Sequence, residues 1–236
     1  MIRSQIPVAS RSLDIPFSRI REIFDMAGQH EGMIRLEVGE PNFNTPANII
    51  EAAIKALKEG YTHYTPNAGL PELREAIAEK LSNENSIPIA SYEQVAVTPG
   101  GINALYLALL ATVNPGEEVL IPDPAWTQYV SMVKLAGGIP IPYSLKEENE
   151  FQINLDELQE MTNEKTRAIL VNSPCNPTGA VWDRQRVEQC VRFAEQNDLV
   201  IISDEIYDKI IFDDFIHVSF AAIPKAFPRT LTINGF

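Results

Sequence analysis

Short apolar segments alternate with helical segments from about residue 95 to residue 233, and this rhythm constrains the fold more than any other feature of the chain. The predicted strands are 95–98, 119–121, 139–143, 168–171, 199–203 and 230–233. The predicted helices among them are 102–110, 129–135, 155–161 and 185–195. Strands that alternate with helices form βαβ units, in which the strands run parallel. We therefore predict an α/β fold of three layers, a mostly parallel sheet with helices on both faces.

The N-terminal part of the chain does not share this rhythm. Its apolar spacing predicts helices over 17–26, 46–59 and 71–81 and a strand over 34–38. The composition changes near residues 44–48, where the mixed N-terminal pattern gives way to the α/β body. We therefore predict two regions, residues 1–46 and residues 47–236.

Composition and charge exclude several classes of partner. The chain has 236 residues, with 19 Lys and Arg against 32 Asp and Glu, and a formal net charge of -13. Such a charge repels nucleic acid and anionic membranes, so we expect neither as a partner. The longest mostly apolar run, 104–113, is too short to span a bilayer, and the N-terminus lacks the apolar core of a signal peptide. We therefore expect a soluble, cytoplasmic protein.

The histidines and cysteines do not indicate a metal site. His30, His63 and His217 are scattered, and none has a partner at metal-ligand or triad spacing. Cys175 and Cys190 have no companion Cys or His at zinc-ligand spacing, and we expect both to be reduced thiols. We predict no metal site.

Asp204 is the strongest candidate for a functional residue. It follows the apolar run 199–202 and Ser203, so it lies at the carboxyl end of a strand that is predicted to be covered on both faces. In open α/β sheets ligands bind at that edge. A carboxylate there can hold a proton on the ring nitrogen of a cofactor. The alternative is that Asp204 caps the N-terminus of a following helix.

Other polar and aromatic residues follow neighbouring strands. The turn 172–179, NSPCNPTG, could hold Asn176 over the sheet edge, or both asparagines could bond only to the local backbone. Tyr207 and Trp126 could face a ligand or could be ordinary core aromatics. The glycines of TPGG, 98–101, could let a helix N-terminus bind phosphate, or could simply form a tight turn.

Five motifs together resemble the pyridoxal-phosphate enzymes of fold type I, specifically the class I/II aminotransferases related to aspartate aminotransferase. The motifs are VGEPNFNTP at 38–46, YTPNAGLPELR at 64–74, TPGG at 98–101, NSPCNPTG at 172–179 and SDEIY at 203–207. They occur in the family's order and cover nearly the whole chain. The resemblance implies that residues 1–46 are an N-terminal arm with part of a small domain. It implies that residues 47–236 are an incomplete pyridoxal-phosphate-binding large domain.

The resemblance also implies roles for single residues. Asp204 pairs with the pyridine nitrogen of pyridoxal 5'-phosphate, and Asn176 and Tyr207 hold its phenolic oxygen. The residues that are implied to bind the cofactor are Gly100, Gly101, Ile102, Trp126, Asn172, Asn176, Asp204, Tyr207 and, from the partner subunit, Tyr64. The residues that are implied to contact the substrate are Gly39, Trp126 and Asn176. A homodimer follows from the role of Tyr64.

The family's Schiff-base lysine has no counterpart within this chain, because the matching position would come just after Phe236. No catalytic residue is therefore assigned. The expected activity of the parent enzyme is transamination between an amino acid and a 2-oxo acid. The alternatives are a noncatalytic, truncated dimerisation fragment, or a related carbon–sulfur lyase or aminocyclopropane-carboxylate synthase. Ile102 is apolar where some aspartate-specific relatives are polar or basic, which weakens a dicarboxylate preference.

Overall fold

Five parallel strands form the central sheet in a computed structural model that describes residues 8–15, 23–24, 26–30, 32, 34, 39 and 43–235. The strands are β1 (Glu118–Asp123), β2 (Ile139–Ser144), β3 (Thr166–Asn172), β4 (Val200–Asp204) and β5 (Thr230–Ile233). Their spatial order is β2-β1-β3-β4-β5, and every neighbouring pair is parallel. The predicted parallel α/β sheet is confirmed.

Helices connect and cover these strands. The helices with described bounds are α1 (Ser10–Leu13), α2 (Ala47–Lys58), α3 (Pro71–Asn85), α4 (Gly101–Thr112), α5 (Gln128–Leu135), α6 (Leu155–Met161) and α7 (Arg184–Gln196). Single 3-10 turns lie at Tyr92–Gln94, Glu147–Asn149, Phe220–Ala222 and Phe227–Arg229. The predicted bounds of α6 and β5 match the structure, and the other predicted helices and strands after residue 100 differ from it by one or two residues at an end.

The predicted strand over 95–98 is wrong. In this segment the Val97 N–H donates to the Ala68 carbonyl at 2.9 Å, but the segment does not enter the sheet formed by the described residues. An extended segment becomes a strand only when a neighbouring backbone completes its hydrogen-bond ladder, and residue type alone does not supply that neighbour.

Two apolar clusters cover the two faces of the sheet, so the larger of the chain's two compact units has three layers. On one face of the sheet, β-strand residues such as Ile169, Val171 and Ile201 pack with residues of α6 and α7 such as Leu158 and Val191. On the other face the alternate strand residues pack with α4 and α5; they include Ala168, Leu170, Ile202, Leu105, Leu109 and Val133. Burial of each large aliphatic side chain contributes about 2 kcal/mol. Covering on both faces explains why β3 and β4 are almost continuously apolar until their final polar residues.

The chain divides into two compact units, one of residues 1–15 with 68–236 and one of residues 16–67. In the second unit, α2 has its apolar side chains Ile49, Ile50, Ile54 and Leu57 exposed. The division into 1–46 and 47–236 stays a prediction about the domains of the whole protein. The predicted helix over 17–26 and the predicted strand over 34–38 fall almost entirely outside the described residues. Within the described part of the chain, no helix is both long and apolar enough to cross a membrane.

Candidate active site

The predicted site residues of the larger unit gather at the carboxyl edge of the sheet. Asn172, the last residue of β3, lies opposite Asp204, the last residue of β4, and Asp204 lies opposite Ile233 of β5. The start of α4 is close by, since a methyl group added at Gly101 would stand 3.8 Å from Ile206 and from Ile233. Parallel strands therefore bring residues that are far apart in sequence to one edge, as the fold requires.

Asp204 is a buried carboxylate with few partners. It is 5% exposed, accepts a hydrogen bond from the Tyr129 hydroxyl at 2.6 Å and accepts a longer one from the Ile206 N–H at 3.3 Å. No Lys, Arg or His side chain contacts it among the described residues. Burial raises the pKa of Asp204, and the hydrogen bonds from Tyr129 and Ile206 only partly oppose this. The alternative role as a helix cap does not apply, because a turn rather than a helix follows.

Tyr129 is a site residue that the sequence did not reveal. It is 1% exposed, lies in the first turn of α5, and its ring packs edge-on against Trp126 with centroids 5.5 Å apart. Burial first, and then the charge of Asp204, raise the pKa of Tyr129 well above its usual range, so its hydroxyl stays protonated and donates. The available signal was the spacing of Trp126 and Tyr129, which places them on one side of a helical turn.

The sequence left open whether the two asparagines bond to the local backbone or face a ligand. In the structure the Asn172 side chain bonds to the backbone, whereas the Asn176 side chain does not within the part of the chain that the structure describes. The Asn172 amide donates to the carbonyls of Pro174 at 3.1 Å and Asp204 at 2.9 Å, and its oxygen accepts the Asn176 N–H at 2.8 Å. Asn172 thus fastens the turn to the end of β4. The half-buried side chain of Asn176 has no hydrogen-bond partner among the described residues, and the same holds for the half-buried Tyr207. These two polar groups are free to bind a ligand.

The glycine turn before α4 offers backbone donors. The Gly100 N–H is bonded to the Thr98 carbonyl at 2.8 Å, whereas the N–H groups of Gly101 and Ile102 have no acceptor among the described residues. Gly100 has φ +87°, a conformation that favours glycine over other residues. Free N–H groups at the start of a twelve-residue helix form an anion site. The structure thus leaves two donors, rather than three, for a phosphate.

Gly39 and Tyr64 belong to the unit of residues 16–67, and both are exposed. The structure describes this unit by itself. Their roles toward substrate and toward a partner's cofactor stay predictions.

A second buried carboxylate, Glu205, lies next to Asp204, but both of its oxygens have hydrogen-bond partners. It is 0% exposed and accepts hydrogen bonds from Ser203, Ser219 and the Phe220 N–H at 2.7 to 3.1 Å. His217 Nε2 lies 3.0 Å from its other oxygen. These contacts give His217 a structural partner that its sequence spacing did not indicate. The described residues contain no cluster of three or more His, Cys, Asp or Glu that could hold a metal ion.

The chain is similar to known proteins of one family. A family model described as aminotransferase class I and II matches residues 31–236. The chain is 48% identical over 219 residues to an aspartate aminotransferase of Pyrococcus abyssi and 44% identical over 219 residues to aromatic-amino-acid aminotransferase 2 of Thermococcus litoralis. Each match covers 93% of this chain and 56% of the relative. The solved aspartate aminotransferase from Thermus thermophilus with maleate matches with a TM-score of 0.92 at 36% identity, over 98% of this chain and 60% of that chain.

The sheet, the helix layers and the matching solved structure define a fold type I aminotransferase architecture, as predicted. The chain belongs to the class I and II aminotransferases. It spans a little over half the length of the curated relatives that it matches.

Proposed function

We propose that the whole protein carrying this chain is a pyridoxal-phosphate-dependent aminotransferase that moves an amino group between an amino acid and a 2-oxo acid. The single observation that carries the proposal is the state of Asp204. It is a buried carboxylate at the ligand-binding edge of a parallel sheet, without a cation among the described residues. A protonated ring nitrogen placed against it would supply the missing positive charge.

The free groups around Asp204 fit the rest of the cofactor. The amide of Asn176 and the hydroxyl of Tyr207 can hold the ring's phenolic oxygen, since both side chains lack partners among the described residues. The N–H groups of Gly101 and Ile102 can receive the phosphate. Trp126 can stack on the ring, because the plane of the Tyr129 ring stands at 87° to that of Trp126 and the two are not stacked face to face. When bound, the cofactor supplies a ring that accepts the electron pair released from the substrate.

The residues of this chain bind and orient under this proposal. Asp204 keeps a proton on the ring nitrogen, Tyr129 holds the Asp204 carboxylate, and Asn172 holds the turn that carries Asn176. Gly39, Trp126 and Asn176 contact the substrate. The resemblance implies a covalent lysine just after Phe236, and it is part of the proposal. Residues 47–236 form the cofactor-binding domain and residues 1–46 the arm with part of the small domain.

A homodimer is part of the proposal, because Tyr64 is assigned to the phosphate of the neighbouring subunit's cofactor. The exposure of Tyr64 leaves its hydroxyl available for such a contact.

The cytoplasmic location stays a prediction. One of the two relatives described above is an aspartate aminotransferase and the other an aromatic-amino-acid aminotransferase. The apolar Ile102 weakens a preference for dicarboxylates.

The test is a panel of amino-acid donors with a fixed 2-oxo acid acceptor, applied to the whole protein loaded with pyridoxal phosphate. We expect transfer of the amino group, with kcat/KM differing among donors. Omission of the acceptor is the control, because transamination then stops after one turnover per site. Continued release of ammonia, or of a cyclised product, without an acceptor would instead identify a lyase or a cyclopropane-carboxylate synthase. A protein that retains no cofactor and converts no donor would contradict the proposal.

A further inference from the structure

A largely buried ionic network lies beyond the ends of β4 and β5, outside the group of candidate site residues described above. The ammonium of Lys80, on α3, contacts Asp208 Oδ2 at 2.5 Å and Asn234 Oδ1 at 3.2 Å. Asn85, also on α3, donates to the same Asp208 oxygen at 2.9 Å. One helix thus holds both the turn after β4, through Asp208, and the segment after β5, through Asn234.

The network also ties these two segments to each other. Asn234 Nδ2 donates to the Glu205 carbonyl at 3.2 Å, and the Glu205 N–H donates to the Ile233 carbonyl at 2.9 Å. The Gly235 N–H donates to the Asn234 side-chain oxygen at 2.9 Å. Asp204 and Ile233 lie opposite each other in the sheet, and these bonds join the residues that follow them. The network therefore fixes the backbone on both sides of the site carboxylate.

Tyr207 directly precedes Asp208, in the backbone segment that this network holds. Its hydroxyl has no hydrogen-bond partner among the described residues, so no hydrogen bond to the hydroxyl fixes the orientation of the side chain. Its backbone carbonyl accepts the Ile210 N–H at 2.8 Å, and the next residue, Asp208, is the one that Lys80 and Asn85 hold. A polar group that must meet a ligand with small error needs such support from outside the pocket.

The pair of Lys80 and Asp208 is largely buried. The Asp208 side chain is 5% exposed and the Lys80 side chain 27% exposed, so solvent screens the pair little. Burial alone would raise the pKa of Asp208. The hydrogen bonds from Lys80 and Asn85, together with the charge of Lys80, outweigh it, and the pKa lies below its usual value. The carboxylate is therefore charged and held by donors on α3.

We propose that Lys80 is a positioning residue of the aminotransferase site, which holds Asp208 and Asn234 so that Tyr207 and the segment after β5 keep fixed places beside Asp204. This inference rests on the proposed function. Lys80 touches neither substrate nor cofactor in this role. It acts through the backbone of the two segments that flank the site.

The chain offers a matched control. Lys209, next to Asp208, forms an ion pair of 2.6 Å with Glu84 of α3, and so joins the same two elements. Its side chain is 59% exposed and that of Glu84 is 49% exposed. Such exposed pairs contribute little, so Lys209→Met removes a charge from the same place without loosening the buried network.

The experiment combines Lys80→Met and Lys209→Met, each with and without Tyr207→Phe, in the whole protein loaded with pyridoxal phosphate. The measured quantity is the rate at which bound cofactor is lost on dilution. We expect Lys80→Met to raise this rate about tenfold in the protein with Tyr207. In the Tyr207→Phe background the same substitution should raise the rate less than about twofold, because the effects of coupled residues are not additive. Lys209→Met should change the rate less than about twofold in both backgrounds. Lys80→Arg should restore most of the lost retention, since it keeps the charge.

A merely structural Lys80 would raise the rate by the same factor with Tyr207 or Phe at position 207, and that result would overturn the proposal. If the wild-type protein binds no cofactor, the proposed function fails, and amide hydrogen exchange without cofactor then decides the positioning role. We expect Lys80→Met to speed exchange at Asp208 and Gly235 at least about tenfold, with no such change for Lys209→Met. Equal exchange rates at these two amides in Lys80→Met and Lys209→Met would overturn the positioning role of Lys80.

Discussion

Asp204 and Asp208 lie four residues apart, and both are buried, at 5% and 7% exposure, yet their surroundings shift the two pKa values in opposite directions. Asp208 faces an ammonium and amide donors, and its pKa is lowered. Among the residues that the structure describes, Asp204 has only the Tyr129 hydroxyl and the more distant Ile206 N–H as partners, and its pKa is raised. Between them, Glu205 is buried with its hydrogen-bond donors in place. A buried carboxylate with its partners present supports the fold, whereas one that lacks a cation is a place for a positively charged ligand.

The sign of the linkage follows from these directions. Because the folded-state pKa of Asp208 is lowered, its contribution to stability is present at neutral pH and is lost as the pH falls through that lowered value. Because the folded-state pKa of Asp204 is raised, ionising it costs folding free energy. Its contribution therefore falls as the pH rises from the usual carboxyl range through the raised value.

The largest effect is expected for Asp204→Asn on cofactor binding. Removal of one member of a buried charge pair costs about 2.7 kcal/mol or more, so affinity for pyridoxal phosphate should fall at least about 100-fold. Equilibrium dialysis of the whole protein measures it. Asp123→Asn is the control, since Asp123 ends β1 at the same edge but is exposed. A loss of similar size in both variants would remove the distinction between Asp204 and other edge carboxylates.

The second effect is on the free energy of unfolding, and its sign differs between substitutions of Asp208 and of Asp204. Asp208→Asn should lower the free energy of unfolding by about 1–2 kcal/mol, because Lys80 loses its charged partner. Asp204→Asn should leave the unfolding free energy unchanged or raise it, because a desolvated charge is removed. Urea denaturation of both cofactor-free variants at neutral pH decides. Destabilisation of equal size in the two variants would contradict the comparison.

A smaller, pH-dependent effect is expected at Tyr129. Under the proposed function, cofactor binding needs the ionised Asp204, so binding should be lost as the pH falls through the pKa of that carboxyl. The Tyr129 hydroxyl stabilises the ionised form, so Tyr129→Phe should move this loss to higher pH. A titration of cofactor binding against pH measures the midpoint, with Tyr143→Phe as the control because that buried hydroxyl bonds to the Leu170 carbonyl instead. A midpoint that stays in place would show that Tyr129 does not act on Asp204.

The smallest effect is expected at Lys209, whose partner is Glu84. The pair joins the same elements as Lys80 and Asp208 but lies in solvent, so Lys209→Met should change the unfolding free energy by less than about 0.5 kcal/mol. Thermal or urea unfolding measures it. A change as large as that of Asp208→Asn would mean that burial is not what separates the two pairs.

The sequence predicts what depends on local pattern. The β3 and β4 strands are recognisable because covering on both faces demands continuous apolar runs, and Asp204 is recognisable because it interrupts one. The segment 95–98 has the residues of a strand, but its pairing depends on a backbone elsewhere in the chain. The hydroxyl of Tyr129 and the ammonium of Lys80 reach their aspartates across 75 and 128 residues, and no spacing rule relates residues so far apart.

The protonation state of the bound cofactor's ring nitrogen is the quantity that Asp204 is proposed to control. Nitrogen-15 NMR of the whole protein with labelled pyridoxal phosphate reads it directly. We expect a protonated ring nitrogen at neutral pH in the wild-type protein and an unprotonated one in any Asp204→Asn protein that still holds cofactor. An unprotonated nitrogen in the wild-type protein, or the same signal in both, would show that Asp204 is not the partner of the ring.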